Sequence, residues 1–186
     1  MSAHKDFLYQ FRYINEMMGC SCFPDLLSMK IFPDGKEITE SCGAYSFFRD
    51  RQHELFLLSD SDVTCIVVGD GCTPRTGAMF AFRTKWHCHS IDPEMKWKNN
   101  SRVDRLTCYT KKVEDFGELH FEKLALIHVH SHARLEESVA RFTANKRVVL
   151  SIPCCVAQER ERPPDIEYRD RGIWSPENLL KVWVDF

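Results

Sequence analysis

The apolar positions of the first sixty residues keep a helical rhythm. From Lys5 to Met18, the residues Phe7, Leu8, Phe11, Ile14, Met17 and Met18 recur at intervals of three and four, which gives one face of a helix an apolar stripe. Pro33-Asp34-Gly35 is a turn signal, a further helix is expected over residues 37–58, and Asp60-Ser61 breaks it. Beyond Asp62 the rhythm changes. Val63–Val68 (VTCIVV), Cys88–Ile91, Leu106–Tyr109, Leu124–Val129 (LALIHV) and Val148–Ile152 are short apolar runs with little polar alternation, the pattern of strands covered on both faces. Longer stretches separate them at Thr73–Trp86, Arg134–Thr143 and, less regularly, Pro93–Asp104; in the second, Leu135, Val139 and Phe142 form an apolar stripe. Leu179–Phe186 reads as a last strand, antiparallel at one end of the sheet. The expected fold is α/β: a mainly parallel sheet with flanking helices over residues 62–186, under an N-terminal helical cap over residues 1–61.

A length of 186 residues suits one compact domain. With 44% hydrophobic and 28% charged residues, neither disorder nor a fibrous repeat is expected. A net charge of -2 creates no molecule-wide attraction to a phosphate backbone, although a local basic patch leaves RNA open as a partner. No apolar run reaches the roughly 18 residues of a membrane span, and the N-terminus lacks the hydrophobic core of a secretion signal. The reading is a cytoplasmic protein that does not engage a membrane. Nine cysteines, an odd number with several inside apolar runs, fit a reducing compartment. Cys20-x-Cys22 and Cys154-Cys155 are close pairs, but neither shows the repeated two-residue gap of a structural zinc site.

The stretch VVGDGCTPRTG, residues 67–77, follows an apolar run and precedes a candidate helix. A strand that enters such a turn and then a helix presents backbone N–H groups at the helix start, and Gly69 and Gly71 allow positive φ and close approach of a ligand. Thr73 is the expected N-cap, with Pro74 in the first turn. Asp92 follows Gly71 by 21 residues, close to the ~20-residue interval at which nucleotide-binding βαβ units place a ribose-binding acid. A nicotinamide dinucleotide is disfavoured because the third fingerprint glycine would fall at Pro74.

Val68-Gly69-Asp70-Gly71 before a helix, then Ser90-Ile91-Asp92, then Val113-Glu114-Asp115 resemble the first three motifs of class I, Rossmann-like methyltransferases that use S-adenosylmethionine. The resemblance spans roughly residues 62–155. It implies a single Rossmann-like domain, with S-adenosylmethionine as a small-molecule cofactor. Gly69, Asp70 and Gly71 would face its methionine part, Asp92 its ribose, and Glu114 or Asp115 its adenine. The chain departs from the family at Val67, where an acid is usual, and at Thr73-Pro74-Arg75, where a third glycine is common.

His128-Val-His130-Ser-His132 ends the LALIHV run, at the edge where open α/β sheets place ligands. In an extended segment the three histidines share a face, with neighbours about 6 to 7 Å apart. Two could share a metal; the third could not, and further donors would have to come from His89, Asp92, Cys154 or Asp170. The favoured reading has no metal: His128 is buried and hydrogen-bonded, while His130 and His132 line a pocket. In the methyltransferase reading His130, Ser131 and His132 lie on the acceptor side, with a histidine as general base. The amino-group motif Asn-Pro-Pro-Tyr is absent. Ser151-Ile-Pro-Cys154-Cys155 loosely resembles a stretch of some transfer-RNA methyltransferases, and alternation would send one thiol into packing and the other toward the cleft. Arg75, Cys154 and Cys155 are therefore candidate substrate contacts. Arg83 reads as a solvated helix residue, and residues 163–176 as an exposed charged loop. The leading function is methyl transfer to an acceptor that no motif specifies. One alternative is a catalytically inactive binding module or complex subunit; another is a metal-dependent hydrolase built on His128, His130 and His132.

Overall fold

A computed structural model describes residues 9–98, 103–156 and 158–186. The expected helix start at Lys5 and part of the Pro93–Asp104 crossover lie outside them. In chain order the elements are α1 (Arg12–Met18), α2 (Phe23–Ser28), α3 (Gly35–Asp50), β1 (Val63–Val68), α4 (Arg75–Arg83), β2 (His87–Ile91) and β3 (Leu106–Tyr109). A 3-10 turn (Val113–Asp115), β4 (Leu119–Val129), α5 (Leu135–Arg141), β5 (Phe142–Ile152), β6 (Ile166–Arg169) and β7 (Leu179–Asp185) follow.

The seven strands form one sheet in the order β3-β2-β1-β4-β5-β7-β6. All pairs from β3 to β5 are parallel, and β7 runs antiparallel to both of its neighbours. The expected α/β fold is therefore present, with the order of a doubly wound nucleotide-binding sheet plus one inserted antiparallel strand. No helix among the described residues is long and apolar enough to cross a membrane.

The apolar runs explain the layers. In β1, Cys65 and Val67 pack with Phe48, Phe80 and Trp86 on one face, while Ile66 and Val68 pack with Leu135, Val139 and Phe142 on the other. A strand buried on both sides has no polar alternation to show. On the first face α3 and α4 meet through an aromatic cluster: Phe48 lies edge-on to Phe80 at 5.7 Å and to Trp86 at 5.4 Å, and Phe80 stacks on Trp86 at 5.6 Å. The Trp86 indole N–H donates to the Leu57 carbonyl at 2.9 Å, so its one polar atom is satisfied.

Several boundaries differ from expectation, each for a physical reason. α3 starts earlier, at Gly35, because the Asp34 carboxylate accepts the Glu37 N–H at 3.0 Å and caps the helix. It stops at Asp50 and not near residue 58, since Phe56 packs on Trp86 and Leu57 caps its indole. α2, with Pro24 in its first turn, was not expected. β4 and β5 begin earlier than their apolar runs, because Leu119↔Phe142 and the following pairs extend the ladder through exposed polar positions. β7 is antiparallel as expected but is not the edge; β6, an alternating strand inside the expected loop over 163–176, lies outside it.

His128 is the last residue but one of β4 and is completely buried, opposite Ser151 on β5. Neither of its ring nitrogens has a hydrogen-bond partner among the described residues, so burial alone pushes its pKa down to about 3. The expectation of a hydrogen-bonded His128 is thus corrected. A depressed folded-state pKa means that the unfolded chain takes up the proton first, so stability falls as pH drops below about 6.5. Replacing His128 with Leu is expected to reduce the stability lost between pH 7 and pH 5 by about 2 kcal/mol, as measured by urea denaturation at the two pH values. An identical pH dependence in both proteins would contradict the assignment.

Candidate functional site

Where β1 passes into α4, one side chain organises the turn. The Asp70 carboxylate accepts the backbone N–H of Thr76 at 2.9 Å and of Gly77 at 3.0 Å, and the Ser90 hydroxyl at 2.7 Å. It is buried, and desolvation raises its pKa although all three bonds favour the carboxylate. Asp70 was expected to face the cofactor; it caps α4 instead. Pro74 occupies the N-cap position with no side-chain cap bond, and the Thr73 hydroxyl donates to the Ile31 carbonyl at 2.7 Å. The glycine that permits close helix-to-strand packing is Gly77, where a Cβ would collide with Ser90 and lie 3.3 Å from Asp70 Oδ2.

With the carboxylate turned inward, the turn shows its two other glycines outward. Gly69 has φ +74° and Gly71 φ +83°. A Cβ at Gly69 would come within 2.9 Å of the Ser131 Cα, and one at Gly71 would strike the Arg75 guanidinium. The Gly71 N–H donates to Asp92 Oδ2 at 2.9 Å, and Glu94 N–H donates to Oδ1 at 2.7 Å. Asp92 thus lies on the same side of the sheet as the glycine turn, at the carboxyl ends of β1 and β2.

Over these groups opens a cavity of about 460 Å³, within the range of small-molecule sites. Gly69, Gly71, Asp92 and Glu114 line it, as do Arg75, His130 and His132. It lies beside the point where the strand order reverses between β1 and β4, the place where open α/β sheets bind ligands. The sequence did not single out Glu94, Lys111 or Lys112, which also line the wall. Their signal is positional: each follows the carboxyl end of β2 or β3 by a few residues.

Not every candidate reaches the cavity. Asp115 accepts the Lys112 N–H at 3.1 Å and closes the 3-10 turn. Ser131, expected to contact substrate, is 1% exposed, lies against Gly69 and accepts the Ala133 N–H at 3.2 Å. Arg75 does line the cavity, but its guanidinium is already engaged: Nη2 donates to the Asp70 carbonyl at 2.9 Å, Nε does so at 3.1 Å, and Nη1 pairs with Glu37. Cys154 and Cys155 lie past the end of β5, so strand alternation does not separate them; their sulfurs are 3.7 Å apart. Asp170, weighed as a metal donor, accepts from Arg12 at 2.7 Å and from Tyr13.

The three histidines do not share a face. β4 ends at Val129, and His130 adopts φ +51°, which turns the chain away from strand geometry. His128 stays in the core, His130 Nε2 approaches Glu40 Oε1 at 3.2 Å, and His132 turns to Cys155. A single ion held by all three is therefore ruled out by geometry.

Glu40, on α3, is a residue that sequence reasoning missed. It is 1% exposed, and its Oε1 lies 2.8 Å from Lys36 Nζ. Burial raises its pKa to about 7, and burial lowers that of His130, to which the Lys36 charge adds. The available clue was an acid set among residues 39–48, all of which are buried.

No protein-family model matches the chain, and no curated protein matches it. Among solved structures, a point mutant of MtNAS in complex with S-adenosylmethionine aligns over 98% of this chain and 77% of its own, at 12% identity and a TM-score of 0.54. MtNAS in complex with MTA and tNA aligns over 98% and 75%, at 12% identity and a TM-score of 0.50. A cyclopropane-fatty-acyl-phospholipid synthase-like protein from Lactobacillus casei has 14% identity over 65% of this chain, which spans 53% of its length, with a TM-score of 0.43. At these identities the likeness is one of fold. The chain has a Rossmann-like α/β fold, similar to that of MtNAS.

Because Asp70 joins α4 to β2 and satisfies three buried donors, Asp70→Ala leaves them without partners. Lost capping of about 1 kcal/mol and orphaned buried donors at about 1–3 kcal/mol give an expected destabilisation of about 3 kcal/mol in chemical denaturation. A change below about 0.5 kcal/mol, the size of an ordinary surface substitution, would remove Asp70 from this role.

Proposed function

We propose that the protein binds S-adenosylmethionine in the cavity and transfers its methyl group to an acceptor entering beside His130 and His132. The observation that carries this reading is the 2.9 Å bond from the Gly71 N–H to Asp92, which joins the glycine turn and the acid after β2 at one cavity. When bound, the cofactor supplies an electrophilic methyl group. Each Asp92 oxygen holds one backbone N–H and keeps capacity for a second donor, as two ribose hydroxyls require. Gly69 and Gly71 let the ligand lie against the backbone, and Glu114 lines the wall beyond β3 for the adenine. The glycine turn also fits on steric grounds, since side chains at 69 or 71 would fill or distort the cradle.

On the acceptor side, His130 is a neutral base near pH 7, because burial lowers its pKa. Glu40, 3.2 Å behind it, stabilises the imidazolium after a proton is taken from the acceptor. Helix α3 thereby contributes to the site, through Glu40 to His130 and through Glu37 to Arg75. The cytoplasm is the proposed location, since nine free cysteines suit a reducing compartment.

Isothermal calorimetry with S-adenosylhomocysteine is expected to show one site, weakened at least tenfold by Asp92→Ala. No heat and no thermal shift at millimolar ligand would overturn the proposal. A binding module without catalysis is the second reading, favoured by the Arg75 guanidinium fastened across the turn to Asp70 and Glu37. In that case Arg75→Ala would increase affinity for the same ligand, whereas in the enzyme reading it does not.

A further inference from the structure

The cavity gives no role to the two thiols beside it. Cys155 Sγ lies 3.5 Å from His132 Nε2 and 3.7 Å from Cys154 Sγ, and the three atoms are all within 4.8 Å of one another. Bonds of about 2.3 Å to sulfur and about 2.0 Å to nitrogen around a tetrahedral zinc ion place two sulfurs about 3.8 Å apart, and sulfur and nitrogen about 3.5 Å apart. Two of the three edges that join these ligands already have that length, and the third, from Cys154 Sγ to His132 Nε2, is within 4.8 Å. Packing does not account for these thiols either, because Cys155 is exposed and Cys154 only half-buried, unlike the core cysteines Cys42, Cys65 and Cys88.

The loops that carry the three groups are braced to one another. Parallel pairing of β4 with β5, down to Val129↔Ile152, brings the two strand ends side by side. Past them the Cys154 thiol donates to the His130 carbonyl at 3.6 Å, and the Gln158 amide donates to the carbonyls of Ser131 and Ala133, both at 3.0 Å. Gln158 itself is buried. Holding ligand-bearing loops in place before an ion arrives removes part of the ordering cost of binding it.

We propose that His132, Cys154 and Cys155 form a Cys2His site for a thiophilic divalent cation, zinc foremost, with its fourth position open at the rim of the cavity. Two thiolates and an imidazole select zinc and its soft relatives over magnesium or calcium. Binding removes one proton from each thiol, and both are released to solvent. His132 lines the cavity, so the ion stands next to the space assigned to the acceptor. Three protein ligands with one exchangeable position is the arrangement of zinc sites that act on a ligand, while closed four-ligand sites hold structure together.

The test is a titration of reduced, chelator-treated full-length protein with cobalt(II), followed by zinc, with no cofactor present, so its outcome is independent of S-adenosylmethionine binding. One equivalent of cobalt is expected to give the intense visible bands of a tetrahedral ion with thiolate charge-transfer absorption, and zinc should displace it. Cys154→Ser, Cys155→Ser and His132→Ala should each weaken cobalt binding at least tenfold while circular dichroism stays that of the parent. Cys20 and Cys22, whose sulfurs lie 3.0 Å apart, are the control: the double variant Cys20→Ser/Cys22→Ser should leave the spectrum unchanged. Absence of a thiolate band at micromolar protein and metal, or a band that survives Cys155→Ser, would overturn the proposal.

Discussion

The Asp70 carboxylate is the constraint on which the site depends. It takes two N–H groups of α4 and the Ser90 hydroxyl of β2, so strand, helix and neighbouring strand are fixed by one side chain. An uncapped helix start would leave those donors to a ligand. Here they are consumed internally, the Gly69 N–H is likewise taken by the Ile91 carbonyl at 2.8 Å, and what the two glycines with positive φ offer a ligand is close approach to the backbone. The N–H of Gly71 already binds Asp92, which couples the acid after β2 to the turn after β1. The cavity above them is a consequence of that coupling.

Much of this was legible in the chain because burial on both faces erases alternation. Val63–Val68 and Leu106–Tyr109 emerged with the boundaries they have in the structure, since no charged residue interrupts either run. The early parts of β4 and β5 were not legible: their side chains are exposed, and hydrogen bonds such as Asn145 Nδ2 to Glu122 at 2.6 Å link them where apolar packing does not. β6 was hidden for a related reason, as an edge strand with alternating burial in a charged segment.

The site was legible in its positions more than in its roles. Spacing alone pointed to Gly69, Gly71 and Asp92, because a βαβ unit fixes how far apart its strand ends fall in sequence. It could not tell that Asp70 turns inward, which depends on room left by Gly77 against Ser90. Nor could alternation foresee that His130 leaves the strand at φ +51°, sending one histidine to Glu40 and the next to Cys155. Glu40 lies ninety residues before His130 in the chain, and pairing of that kind is set by helix docking, to which local pattern is blind.

Two chemistries thus adjoin one cavity. On one side buried Glu40, whose pKa burial raises to about 7, lies 3.2 Å from the neutral imidazole of His130; on the other, His132 and two thiols stand close together. Both stand at the carboxyl edge of the same parallel strands. The central claim is that the glycine turn and Asp92 converge on one small molecule, and a crystal structure of the protein with S-adenosylhomocysteine tests it most directly. The account predicts ligand density spanning the turn, with the ribose hydroxyls on the Asp92 carboxylate. Density elsewhere on the molecule, or an empty cavity at saturating ligand, would contradict it.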